Sequence, residues 1–368
     1  MNKLFIVIFT IFFSCVSEKK FEVDTESNQL NDLINTSKIS TINTESIKTD
    51  TVFVEEHISF ESSVFLDNKV FVTDLIGINI TESNSVIFNR NFPFIINHNE
   101  DSDSLKVIGK EGKGPNEYSE IKNVVISENY NYAVDPSNSR ISKLDKKFDF
   151  IDVFTNEKID FQTSQSEYSI FKDDLVLPIK NNEKYLAGLF NDKNGALKAS
   201  FLPRLIPIGK QPAAVNNYKI SSSKNGKISL AYFGLPYIIL VDENLKPVQT
   251  IIIQSEEIKE KTSSLKPIED NSGLGVGVSQ IIFGVEWIDD SHLMFFRKNM
   301  IYILQEIQGS FNLINKVKLE YSDEALAKKH KIYGVKFRVT DISNDFMYVS
   351  SNFDTGIYSL PLDKLLKN

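Results

Sequence analysis

Short runs in which apolar and polar residues alternate, separated by turn-forming residues, recur along most of this chain. Six stand out: Lys69–Thr73, Tyr130–Asp135, Asp174–Leu177, Lys227–Phe233, His292–Phe296 and Phe346–Ser350. Each is followed, after a few turn residues, by a second alternating run such as RISKLD, YIILVD, MIYILQ or GIYSLPL. A period of two marks a strand whose two faces pack differently, and two such runs across a short turn predict a hairpin. The hairpins return every 43 to 65 residues or so, and four strands with their turns need about 40 to 50 residues. Only SDEALAKKHKIYG reads as strongly helical, with Ser322 as N-cap, acids in the first turn, lysines later and Gly334 as the stop.

One unit can be read strand by strand as NVVIS, NYAVD, RISKLD and FIDVF, between Asn123 and Phe154. With its approach, GKEGKGPNEYSEIK, it resembles an NHL-type repeat: a glycine-rich entry, an aromatic where the pattern has Phe, V-D closing one strand and N-x-R-I opening the next. The chain is similar to the six-bladed β-propeller lipoproteins common in Bacteroidetes, whose G-x-G-P-x-E-[FY] segment matches Gly112 to Tyr118. The motif covers about forty residues; elsewhere only the pattern agrees. The expected fold is therefore all-β, a six-bladed β-propeller of four-stranded antiparallel blades. The last unit supplies only three strands before the chain ends. An unpaired edge invites association, so Asp50–Glu56, DTVFVEE, is expected to join the last blade as its outer strand.

The first residues read as a targeting signal: Lys3, an apolar run from Leu4 to Phe13, then Ser14 and Cys15. Ten apolar residues are too few to span a bilayer. Cys15 is the only cysteine and stands where a bacterial lipoprotein signal is cut and the thiol acylated, although Phe12 and Phe13 replace the usual Leu and small residue. The alternative is an ordinary secretory signal. Residues 1–14 are thus read as signal peptide, 15–49 as a lipidated N-terminus and flexible tether, and 50–368 as the propeller. The tether is rich in Ser, Thr, Asn, Glu and Lys, with too few apolar residues to offset backbone ordering. The implied location is the bacterial envelope, anchored by lipid, with the outer membrane favoured.

A formal net charge of −8 and no cluster of Lys and Arg argue against a nucleic-acid partner. The glycine-rich GKEGKGPNEY, Gly109 to Tyr118, lacks the helix whose N-terminal amides hold phosphate in a nucleotide-binding loop. It is read as a crossing from the outer strand of one blade to the inner strand of the next. GLGVGV, Gly273 to Val278, enters a strand too and is read in the same way. The longest irregular segments, Gly109–Tyr118, Pro203–Lys219, Ser255–Val278 and Ser322–Gly334, are all such crossings, which lie on one face of a propeller. Binding concentrates in loops on a rigid scaffold.

Lys113, Tyr118, Arg140, Arg204, Lys210, Tyr218 and His330 are the candidate ligand or partner contacts on that face. Asp135 and Arg140 flank the turn DPSNSR; the favoured reading is local, with Asp accepting backbone amides and Arg pairing across the turn. His57, His98, His292 and His330 show no metal-ligand spacing, and no G-x-S-x-G elbow is present. No cofactor is evident. The leading expectation is a binding module for a glycan, peptide or envelope protein. The alternative is a propeller enzyme of lyase, lactonase or glycosidase type, with a channel-mouth site and a divalent cation held by oxygen ligands.

Overall fold

The alternating runs form antiparallel meanders, and each apolar position serves one of two seams. The computed structural model describes residues 37–59, 77–80, 84–88, 93–99, 101–102, 104–161, 168–180, 185–203, 217–223, 225–263, 281–333, 337–343, 345–351 and 356–366. Two strands, β1 (Lys38–Asn43) and β2 (Asp50–Ser59), precede the meanders. The first sheet is β3 (Gly77–Ile80), β4 (Asn84–Phe88), β5 (Ile95–Asn99) and β6 (Ser104–Ile108). A two-stranded ribbon, β7 (Lys110–Glu111) and β8 (Glu117–Tyr118), leads to the second: β9 (Asn123–Ile126), β10 (Asn131–Asp135), β11 (Arg140–Leu144) and β12 (Phe150–Phe154). The third is β13 (Ser169–Phe171), β14 (Asp174–Pro178), β15 (Tyr185–Phe190) and β16 (Leu197–Pro203), and the fourth meander is β17 (Tyr218–Ser222), β18 (Ile228–Tyr232), β19 (Tyr237–Val241) and β20 (Pro247–Gln254). Helix α1 (Glu256–Ser263) precedes β21 (Gly284–Trp287), β22 (His292–Arg297), β23 (Met300–Ile307) and β24 (Ser310–Tyr321). Helix α2 (Glu324–Tyr333) then leads to the last meander, β25 (Phe337–Ile342), β26 (Phe346–Ser351) and β27 (Gly356–Pro361), which ends in the single turn α3 (Leu362–Leu365).

The first strands pack against one another in succession: β3 on β9, β9 on β13, β13 on β17, β17 on β21, and β25 back on β3. The apolar core is correspondingly divided among the seams. On β10, Tyr132 and Val134 enter a cluster with Leu175, Leu177 and Phe190 of the third sheet, while Ala133 between them joins Val86 and Ile95 of the first. The third and fourth sheets share a cluster around Val176 and Leu230, the fourth and β21–β24 one around Ile251 and Leu293, and β21–β24 and the last meander one around Val317 and Val349. A strand buried on both faces reads as nearly continuous apolar sequence, which explains NYAVD, buried at all five positions. Sheets arrayed about an axis with their cores in the seams are the architecture of a β-propeller.

The four strands read from the NHL-like unit are β9 to β12, each within a residue of expectation. Other hairpins fall at β14, β18, β22 and β26, but Lys69–Thr73 lies outside the described residues, and the second strand of the first meander is Asn84–Phe88. The helix is capped differently: the Leu326 N–H donates to Asp323 Oδ1 at 2.8 Å, whereas Ser322 Oγ donates to the carbonyl of Val54 at 3.1 Å. Gly334 lies outside the described residues. Helix α1 was not expected; Ser255 Oγ accepts the Ile258 N–H at 3.0 Å as its cap, and Glu256 and Glu257 fill the first turn.

The N-terminal segment differs most from expectation. Residues 38–43, read as tether, form β1, which runs parallel to β20 from Lys38 opposite Gln249 to Asn43 opposite Gln254. Its β-branched Ile39, Thr41 and Ile42 suit an extended edge; Ile42 is buried, and Ser40 Oγ takes Gln249 Nε2 at 2.7 Å. Of Asp50–Glu56, only Glu55 and Glu56 pair with β27, opposite Ser359 and Tyr358. Asp50 to Val54 run parallel to β24 instead, opposite Val317 to Tyr321, because β2 is long enough to serve both edges in turn. One eight-stranded sheet results. Residues 1–36, including Cys15 and the apolar run, lie outside the described residues. Among the described residues, no helix is long and apolar enough to cross a membrane.

Candidate functional site

The glycine-rich crossing holds an anion after all, and it is the loop's own. Glu117 Oε2 accepts the backbone N–H of Gly114 at 2.7 Å and that of Lys113 at 3.1 Å, and Oε1 pairs with Lys110 Nζ at 3.1 Å. The Gly114 N–H, with Lys110 beside it, holds this carboxyl below its ordinary value. A Cβ on Gly114 would lie 2.9 Å from Glu117 Oε2, and one on Gly109, at φ +91°, only 2.7 Å from the Tyr118 ring. The amides that would greet a phosphate are therefore occupied.

Arg140 closes the loop from the neighbouring turn. Its Nη1 donates to the Lys113 carbonyl at 2.6 Å, and Nη2 donates to the Gly114 carbonyl at 3.3 Å and to that of Glu117. Its Nε lies 3.5 Å from Asp135 Oδ2, and its guanidinium stands over the Tyr118 ring. Asp135, fully buried, also accepts the Ser119 N–H at 3.2 Å and Asn138 Nδ2 at 2.6 Å. The local reading of Asp135 and Arg140 thus holds, widened to include the crossing.

Two of the proposed contact residues belong to the core. Tyr118 has no exposed surface, and burial pushes its phenol up to about 12. Tyr218 is equally enclosed, its hydroxyl donating to the Leu186 carbonyl at 3.3 Å. Both sit beside glycine or polar residues in sequence, but their strands turn them into seams. Lys113 is exposed on the crossing. Arg204, Lys210 and Cys15 lie outside the described residues, and His330 belongs to α2 by its backbone.

The structure brings other groups together, on the first strands that surround the axis. Asn79 Nδ2 donates to the Val124 carbonyl at 2.7 Å, joining β3 to β9; Ser222 Oγ donates to the Ile170 carbonyl at 2.5 Å, joining β17 to β13. The Trp287 N–H donates to Ser221 Oγ at 3.2 Å, joining β21 to β17. Beside that link lies Glu286. Burial pushes its carboxyl up to about 7; the Ser221 hydroxyl and the Lys219 ammonium pull it down, and the charge of Asp341 on β25 raises it again. Lys219, Glu286 and Asp341 come from three different meanders. The sequence signal for two of them is a charged residue inside a short, mostly buried strand, YKISS and GVEW.

A second polar group stands where β9 and β13 begin. Lys122 Nζ lies 5.4 Å from the Tyr168 ring centroid, with both residues buried. The Tyr168 hydroxyl has no hydrogen-bond partner among the described residues, and burial, followed by the charges of Asp160 and Glu120, raises its pKa. Among the described residues, no three His, Cys, Asp or Glu side chains are grouped to hold a metal ion.

No protein-family model matches the sequence, and no curated protein sequence matches it. Solved structures do resemble it. A presumed exported protein from Bacteroides fragilis NCTC 9343 superposes with a TM-score of 0.53 at 12% identity, covering 88% of this chain and 98% of the other. Virginiamycin B lyase from Staphylococcus aureus gives 0.48 at 11% identity, covering 81% and 83%. The β-propeller domain of Cps50 from Myceliophteria thermophila gives 0.47 at 7%, covering 80% and 86%. At such identities the likeness concerns the fold alone.

Proposed function

We propose that this chain is a binding module of the bacterial envelope: a six-bladed propeller, anchored through an acylated Cys15, that receives a glycan, a peptide or a partner protein at the axis on its crossing face. In this reading each four- or five-stranded sheet is one blade, the eight-stranded sheet is two, and β2 completes the last. Lys219, Glu286 and Asp341 form the floor of the site, Tyr168 its wall, and Lys113, Arg204, Lys210 and His330 stand on the surrounding loops. The observation that carries it is the convergence of charged side chains from three meanders beside the axis. Capture of partners from native membranes by the full-length protein tests it. Alanines through residues 203–219, or Lys219→Met with Glu286→Gln, should abolish a capture that the wild type supports; unchanged capture would overturn it.

Glu286 favours a second reading. A carboxyl that titrates near neutrality can take and return a proton during turnover, and general acid–base groups are tuned to that range. If the site is catalytic, Glu286→Gln should lose turnover on a responding glycan or cyclic peptide ester while retaining its affinity. A variant that keeps full turnover removes this reading.

A further inference from the structure

We propose that the face carrying the first and third hairpins of each meander, opposite the crossings and the second hairpins, is the face that meets the lipid surface, so that the crossing face is displayed away from it. This rests on the reading of Cys15 as a lipid anchor and goes beyond it, because an anchor alone does not choose a face. The contour length between Cys15 and Lys38, at most about 3.3 to 3.6 Å per residue, would allow either face to approach a bilayer.

Two observations choose. The first is where the chain enters the domain. In each meander the first strand runs from crossing to hairpin, so the fourth runs from hairpin back to crossing. β1 is parallel to β20, a fourth strand, and therefore begins at the hairpin face. Lys38 confirms the level, its Nζ donating to the Gln308 carbonyl in the β23–β24 hairpin at 3.5 Å. The second is where large apolar side chains are exposed. Ile39 and Val248 are the second residues of β1 and β20, Ile151 the second of β12, Ile307 the last of β23 and Phe346 the first of β26. By strand direction all five stand at the hairpin end, whereas Val107, Val153 and Phe53, the last opposite Glu320 near the end of β24, stand toward the crossing end. Ile39 and Ile307 flank the entry point itself. Apolar side chains that dip into the headgroup boundary, held there by an acyl anchor, are how a globular domain lies on a membrane.

The test uses the full-length, acylated protein on vesicles of phosphatidylethanolamine and phosphatidylglycerol carrying a lipid-borne quencher. With the thiol of Cys15 acylated, single fluorescent labels can be placed at Lys193→Cys on the third hairpin of its meander or at Ser137→Cys on a second hairpin, which lies on the crossing face. The Lys193→Cys label should be quenched several-fold more than the Ser137→Cys label, and Ile39→Ser with Ile307→Ser and Phe346→Ser should erase the difference while the protein still floats with the vesicles. Equal quenching in floating wild-type protein, or stronger quenching at Ser137→Cys, overturns the orientation and leaves the anchor standing. Absence of acyl mass and of flotation overturns the anchor, and the orientation with it.

Discussion

Glu117 places its carboxylate 2.7 Å from the backbone nitrogen of Gly114, three residues back along its own chain. A loop whose glycines resemble a phosphate cradle is thereby filled from within. The same contact fixes the crossing against Arg140, which donates to the loop's carbonyls at Lys113 and Gly114.

Glu117→Ala should raise amide exchange at Lys113 and Gly114 with little change elsewhere, as read by hydrogen exchange. Because the folded carboxyl lies below its ordinary 4.5, its contribution is present above that value and is lost as pH falls through the folded pKa. Wild-type protection at Gly114 should therefore decline on acidification, and that of Glu117→Gln should not follow pH. Unchanged exchange in the alanine variant would refute the role.

Arg140→Ala leaves Asp135 buried without its cation, and breaking a buried pair costs about 3 to 5 kcal/mol. Arg140→Lys should recover only part of this, since an ammonium cannot reach three carbonyls and a carboxylate in one plane. Urea denaturation of the two variants checks the order; a fully stable lysine variant would contradict it.

Ile42→Ala should loosen β1 without unfolding the domain, because truncating a buried Ile costs roughly 2 to 5 kcal/mol and an edge strand can open locally. The only tryptophan reports on it: Trp287 shares a cluster with Ile42. Its emission should shift to the red, and proteolysis should gain access near residues 38–43. A wild-type spectrum together with wild-type protease resistance would count against the packing.

Glu286 is expected to make the protein less stable as pH rises. Its carboxyl has a folded value of about 7 against 4.5 when free, so below 4.5 it is protonated in both states and costs nothing. Between 4.5 and 7 the folded state alone retains the proton, and the penalty grows across that window. Glu286→Gln should be the more stable protein above pH 7 and the two should converge near pH 4. Parallel stability curves would show that burial does not act on this group.

The meanders were legible because alternation is imposed residue by residue: Tyr132 and Val134 face one seam, Ala133 the other, and no distant information is needed. β1 was not legible, since KISTIN alone lacks the apolar density to order itself; what orders it is the edge of β20, more than two hundred residues away. For the same reason the double pairing of β2 exceeded what counting strands could give. At the site, Arg140 and Asp135 were readable as neighbours across a turn. Lys219, Glu286 and Asp341 were not, because their meeting depends on how three meanders are placed about an axis, and sequence spacing carries no trace of that. Tyr118 and Tyr218 were misplaced because a tyrosine beside a loop can turn either way, and strand phase turned these inward.

The ladder between β1 and β20 also has a mechanical meaning. A pull arriving along the backbone from before Lys38 meets the six rungs from Lys38 to Asn43 before it reaches β2. The first segment to yield is thus one whose loss leaves the remaining sheets paired. Under tension the molecule gives up slack first and its architecture last.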